Sequence, residues 1–184
     1  MIRSFEAKRP RLSAGAWVDA SAQVIGDVVL GADCSVWPLV TIRGDVNAIR
    51  IGARSNVQDN SCLHVTHDGP YSPGGVALEI GDEVTIGHGV ILHACRVGDR
   101  CLIGMGAIVM DRAVLEDEVL LAAGSMVPPG KQLRGGWLHR GSPARPVRPL
   151  DDAERAQLRY SALHYVRLKQ RHEAQLTVSE EMSG

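Results

Sequence analysis

Large rings are scarce in this sequence: aromatic residues make up 4% of the 184-residue chain, with a single Phe. Its core has to be filled by small and branched aliphatics, which carry most of a hydrophobic content of 45%. Positive charge is not in excess either. Twenty Lys and Arg stand against 21 Asp and Glu, a balance that points to neither nucleic acid nor an acidic membrane surface as partner. No apolar run reaches the ~20 residues a membrane span requires, and the basic segment 1–12 has no apolar stretch of signal-peptide type. The four cysteines, Cys34, Cys62, Cys95 and Cys101, form no C-x-x-C pair. So few thiols without a framework fit a reducing, cytoplasmic setting.

What the chain does have is a period of six. Val24, Leu30, Val36 and Ile42 open it, with Val18 one step earlier; after a three-residue slip it resumes at Ile51, Val57 and Leu63. A Gly- and Pro-rich stretch, about 68–79, interrupts it. It restarts at Ile80, Ile86 and Leu92, loses one residue, and continues through Val97, Ile103, Val109, Leu115, Leu121 and Val127. Four residues after these aliphatics, except at His67 and Arg96, stands a second inward position, small or β-branched, such as Ala22, Cys34, Val46, Ser55 or Cys101. A helix would repeat at 3.6 and a half-buried antiparallel strand at two. A period of six predicts one short strand and one corner per hexad, with three hexads closing a triangular parallel turn. The repeat extends over between five and six such turns.

The period ends near Pro146 and Pro149. Asp151 followed by Glu154 reads as a capping box, and Leu158, Ala162, Tyr165 and Leu168 recur at helical spacing. The chain therefore divides into a parallel coil over 1–148 with its loop at 68–79, an amphipathic helix over 149–175 packed along the coil, and a frayed tail over 176–184.

The repeat also places histidines. His64 follows Leu63 and His93 follows Leu92, three hexads later, so both occupy one outer face a strand spacing of ~5 Å apart. That separation suits two imidazoles sharing a metal. His88, two residues after Ile86, lies on the preceding face and could reach the pair only from a neighbouring chain in a three-fold ring. Arg43 falls in the column of His64 and His93, with Asp45 near it. Gln58 and Asn56 share the face of His88.

These residues resemble the gamma-class carbonic anhydrases, hexapeptide-repeat proteins, and among them the bacterial YrdA-type branch. The likeness is carried by S-V-W-P at 35–38, I-R-G-D at 42–45, S-N-V-Q-D at 55–59, L-H-V-T-H at 63–67, I-G-H at 86–88 and L-H at 92–93. It extends through L-I-G-M-G-A at 102–107 and G-S-P-A at 141–144 to Y-S-A at 160–162. The resemblance implies an all-β fold, a left-handed parallel β-helix with a C-terminal α-helix along it. It implies a homotrimer in which His64 and His93 of one chain and His88 of the next hold zinc, with ferrous iron or cobalt compatible. Gln58, Asn56 and Tyr165 would match polar groups beside the metal, and Arg43 and Asp45 an interface pair. The implied activity is metal-assisted hydration of CO2 to bicarbonate, a water's pKa falling to about 7 on zinc.

Where the family's archetype carries acidic proton shuttles, this sequence has Val46 and His67. His67 is the expected relay, since imidazole titrates near neutrality. Two rival functions rest on the same fold: an acyl-CoA-dependent acyltransferase using one histidine as general base, and a non-catalytic trimeric metal-binding protein.

Overall fold

The computed structural model describes residues 1–181, with side chains to 175. Three columns of short parallel strands wind around one aliphatic core. In the first column Val24, Ile42, Leu63, Leu92, Val109 and Val127 stack in register. The second stacks Leu12, Leu30, Ile51, Ile80, Val97, Leu115 and Leu133. The third stacks Val18, Val36, Val57, Ile86, Ile103, Leu121 and His139. Every predicted inward aliphatic from Val24 onward is buried, at 4% exposure or less.

The coil is longer than the repeat suggested, because the second and third columns each hold seven parallel strands. It begins at Ile2–Arg3, paired with Val24–Ile25, and continues past Val127 through Gln132–Leu133 to Trp137–Gly141. There an antiparallel partner, Ala144–Pro149, covers the open edge.

The corners explain the six-residue period. The third residue after an inward aliphatic repeatedly adopts a left-handed backbone: Asp33 (φ 56°), Leu39 (59°), Arg54 (55°), Asn60 (63°), Glu83 (58°) and Arg100 (54°). Each such residue turns the chain sharply onto the next face. For a residue with a Cβ the conformation costs ~1–2 kcal/mol, offset here by the strand hydrogen bonds the turn permits. The inward small residues Ala22, Cys34, Ser55, Val90 and Cys101 are buried as expected. Val46 is not: it is 46% exposed. The three-residue slip bends the long strand Thr41–Ile51 outward, and its register against Gln23–Leu30 shifts between Gly26 and Val28. Val46 sits on that outward bend.

The helix runs Asp152–Glu181, past the expected end at 175, since nothing between 175 and 181 is a Gly or Pro stop. It takes in most of the segment expected as a tail; 182–184 lie outside the described residues. The predicted capping box is present: Asp151 Oδ1 accepts from Glu154 N at 2.8 Å, and Glu154 Oε2 accepts from Asp151 N at 3.1 Å. Leu158 and Ala162 are buried against the coil. Tyr165 and His172 meet Trp37 edge-to-face, at ring distances of 5.4 and 5.1 Å. Lys169, 1% exposed, donates to Gly15 O at 2.6 Å and lies 3.1 Å from Asp33 Oδ1.

Candidate metal centre

The first column presents His64 and His93 directly across one strand pairing. His64 Nδ1 and His93 Nε2 face each other at 3.2 Å. The remaining nitrogen of each ring is engaged by a carboxylate: His64 Nε2 lies 3.0 Å from Asp45 Oδ1, and His93 Nδ1 lies 2.7 Å from Asp111 Oδ1. A carboxylate only accepts, so each of those nitrogens carries the ring proton and the two facing nitrogens are left with lone pairs. Two opposed lone pairs invite a shared proton or a cation.

The spacing fits a cation. Nitrogens ~2.05 Å from a tetrahedral zinc stand ~3.3 Å apart, close to the observed separation. A histidine backed by a carboxylate is also the usual way a ligand ring is held in its metal-binding tautomer. The donor set therefore fits a divalent transition metal. Among the described residues no three His, Cys, Asp or Glu side chains converge within one chain to hold a metal.

His88 stands on the third column's corner, exposed, with Nδ1 2.9 Å from Asp59 Oδ2. Asp59 sits one turn before it in the same column, since Val57 pairs with Ile86. All three candidate ligands thus have a carboxylate neighbour. The sequence reading did not assign Asp59 or Asp111. Asp59 was findable by the same count that placed His88, two residues after the inward aliphatic one turn earlier. Asp111 lies diagonally from His93, where a straight column count does not look.

Electrostatics follow from this packing. Burial, reinforced by the Arg43 charge, pulls His64 below the usual imidazole range against the opposing pull of Asp45. Burial alone would raise Asp45, but bonds from Arg43 and His64 outweigh it and bring the carboxyl below its ordinary value. Asp111 behaves alike: Thr66 and His93 overcome its desolvation and lower it. Burial, then the Asp59 charge, raises Tyr165.

The other expected residues divide. Arg43 pairs with Asp45 inside the chain, two residues along one strand. Asn56 is fully buried, accepting from Gln58 Nε2 at 3.1 Å and donating to Thr85 Oγ1 at 3.2 Å. It positions Gln58. Gln58, His88, Thr85, Ser161 and Tyr165 line a cleft of about 390 Å³ between the helix and the third face. His67 is exposed at the start of the loop and, among the described residues, forms none of the hydrogen bonds around the pair.

No protein-family model matches the chain. Its relatives do define it. It is 49% identical over 169 residues to Protein YrdA of Escherichia coli, covering 92% of each chain. It is 41% identical over 168 residues to Gamma carbonic anhydrase 1, mitochondrial, of Arabidopsis thaliana, covering 91% of this chain and 61% of the plant protein. A solved structure of a hexapeptide transferase family protein from Anaplasma phagocytophilum matches with a TM-score of 0.83 at 38% identity, covering 92% and 96% of the two chains. The chain belongs to the gamma carbonic anhydrase family of hexapeptide-repeat proteins, and its fold is their left-handed β-helix. Within that family the full-length likeness places it in the YrdA-type branch. No described helix is long and apolar enough to cross a membrane.

Proposed function

We propose that the chain works as a cytoplasmic homotrimeric metalloprotein, hydrating CO2 reversibly to bicarbonate, with His64 and His93 of one chain and His88 of the next holding a divalent metal, zinc in the first place. The observation that carries this is the pair of imidazole nitrogens facing each other at 3.2 Å, each ring backed by a carboxylate. The first face also carries the column Cys62, Ile91, Ile108 and Met126, one per turn. Ile91 and Ile108 are 42% and 37% exposed. Covering such a stripe gives chains a reason to associate where the histidines are.

A bound metal of this type supplies Lewis acidity, polarising an oxygen and lowering the pKa of a water toward neutrality. The protein supplies the rest. Asp45 and Asp111 hold the His64 and His93 ring protons away from the shared point. Asn56 fixes Gln58, whose side chain, with Tyr165, lines the cleft where a small substrate is bound and oriented. His67 receives the released proton and passes it to solvent. Arg43 keeps Asp45 ionised and aimed at His64 Nε2, and with it belongs to the trimer interface.

The test is metal content together with mass in solution, before and after His93→Ala. About one metal per chain in a trimer, lost in the variant, supports the site; wild-type metal content in the variant refutes it. Stopped-flow CO2 hydration then decides the activity. A metal-loaded trimer with no hydration above background is the non-catalytic metal-binding protein instead. The cleft favours one second reading, because about 390 Å³ is more room than CO2 needs. An acyl-CoA-dependent acyltransferase would show protection by acyl-CoA without metal.

A further inference from the structure

Resting on the reading of His64, His88 and His93 as metal ligands, we propose that Asp111, braced by Thr66, is a positioning residue that fixes the ring orientation and tautomer of His93. Asp111 stands two residues past the inward Val109, at the corner one turn beyond His93. Its two oxygens do different work. Oδ1 accepts the hydrogen bond from His93 Nδ1 at 2.7 Å, while Oδ2 accepts from the Thr66 hydroxyl. With both oxygens engaged the carboxylate cannot rotate, and the ring cannot exchange its protonated and free nitrogens without breaking a charge-assisted bond. Left alone, a neutral imidazole is free to carry its proton on either nitrogen. Only the Nδ1-protonated form turns the Nε2 lone pair toward His64.

Thr66 is three residues after Leu63 and stands where the long loop leaves the coil; its backbone bridges to Val76 on the returning side. Arg112, next to Asp111, donates to Ser72 Oγ at 2.7 Å. Adjacent residues thus hold the loop at its neck and further out, and one of them also holds His93. A ligand geometry set on a strand is in this way tied to the seating of a loop.

The experiment compares the full-length wild type with Asp111→Ala and Asp111→Asn. Nitrogen NMR on the metal-free protein, at alkaline pH where imidazole is neutral, reads the His93 tautomer. Competition against a chromophoric chelator reads zinc affinity, and mass in solution confirms assembly. Wild type is expected to show His93 protonated at Nδ1. Asp111→Ala should populate the Nε2-protonated form and bind zinc ~10–100-fold more weakly, the usual cost of losing such a partner. Asp111→Asn keeps an accepting oxygen without the charge; it should retain the Nδ1 proton and lose ~10-fold in affinity. It carries the test if the alanine variant fails to assemble. An alanine variant that keeps the Nδ1 tautomer, or an asparagine variant that binds zinc like wild type, overturns the proposal. The parent reading fails separately, through a His93→Ala chain that binds zinc as wild type does. The tautomer of the metal-free Asp111→Ala chain still decides what Asp111 does.

Discussion

Adding one methyl group at either of two glycines separates two physical costs in this coil. At Gly104 a Cβ would stand 2.3 Å from Ala123 N, 2.7 Å from Ala122 C and 2.7 Å from Leu121 O. All three atoms are backbone of the next turn, and Gly104 N already donates to Leu121 O at 2.7 Å. Relief needs ~1 Å of separation between turns whose natural spacing is ~4.8 Å, which sacrifices that bond and its neighbours' packing. Overpacking costs ~1–3 kcal/mol and an unmade buried bond ~1–3 more, so Gly104→Ala should lose ~2–6 kcal/mol. At Gly130 nothing lies within 4 Å of the added Cβ, but φ is +67°. There only the left-handed conformation is penalised, by ~1 kcal/mol. At ~2–4 °C per kcal/mol for a chain of this size, Gly130→Ala should melt ~2–4 °C below wild type. Gly104→Ala should melt ~4–24 °C below it or fail to fold. Circular dichroism melts at matched chain concentration read both, since association moves Tm. Equal losses, or a larger one at Gly130, would refute the claim that contact between turns limits these positions.

Other features respond to different perturbations. Glu154, held by two bonds from Arg148 and one from Asp151 N, has its carboxyl lowered from 4.5 to about 2. Its contribution is full above pH 4.5 and lost as pH falls toward 2, so the Tm gap between wild type and Glu154→Gln should close over that window; a gap that widens in acid contradicts the cap. Lys169→Ala removes the tie from the helix to Gly15 O and Asp33. Because Asp33 is partly exposed, the loss should be about 1–3 kcal/mol, seen as faster proteolysis of the helix; an unchanged digestion rate would count against the tie. Burial pushes the thiols of Cys34, Cys95 and Cys101 up to about 12. At most Cys62 should therefore react with a thiol reagent in the native protein, and all four after unfolding; native labelling at Cys34 would show the core open. Ile91→Asp places a charge in the exposed apolar column and should give monomers by light scattering, with the coil's circular dichroism intact and metal content reduced. A metal-loaded trimer of this variant would remove that face from the interface.

Much of the fold was readable because one constraint repeats. Each hexad sends one aliphatic inward, and stacking makes every such residue the neighbour of another three hexads away, so Val57, Ile86 and Ile103 confirm one another before any coordinates are known. The reading failed where the repeat does. Val46 was placed inward by counting across a slip, and the strand there bends outward instead. The six-residue count stopped at Val127, well inside the coil expected to 148, and the position six residues past Leu133 holds His139, a polar residue in an aliphatic place. His139 is 2% exposed, with Nε2 donating to Arg134 O at 2.9 Å. One satisfied nitrogen in a capped turn is enough to seat it where the pattern asks for Val or Leu, and composition alone does not announce that.

The site was legible to the same depth. Column counting put His64 beside His93 and His88 around the corner, because those positions follow from the register of inward residues alone. It could not tell how the rings are turned, and that depends on Asp45, Asp59 and Asp111. These carboxylates sit two or three residues past an inward aliphatic, Asp59 and Asp111 on corners and Asp45 on the outward bend of Thr41–Ile51. A periodic reading averages such corners into surface. Yet the lateral contacts decide which nitrogen of each imidazole keeps its proton, and hence whether two stacked histidines make a ligand pair or a polar patch. Histidine spacing is therefore one mark of the proposed centre. The other is a carboxylate beside each ring, which in a hexad coil can be sought at the second and third residues after the inward position on an adjacent turn.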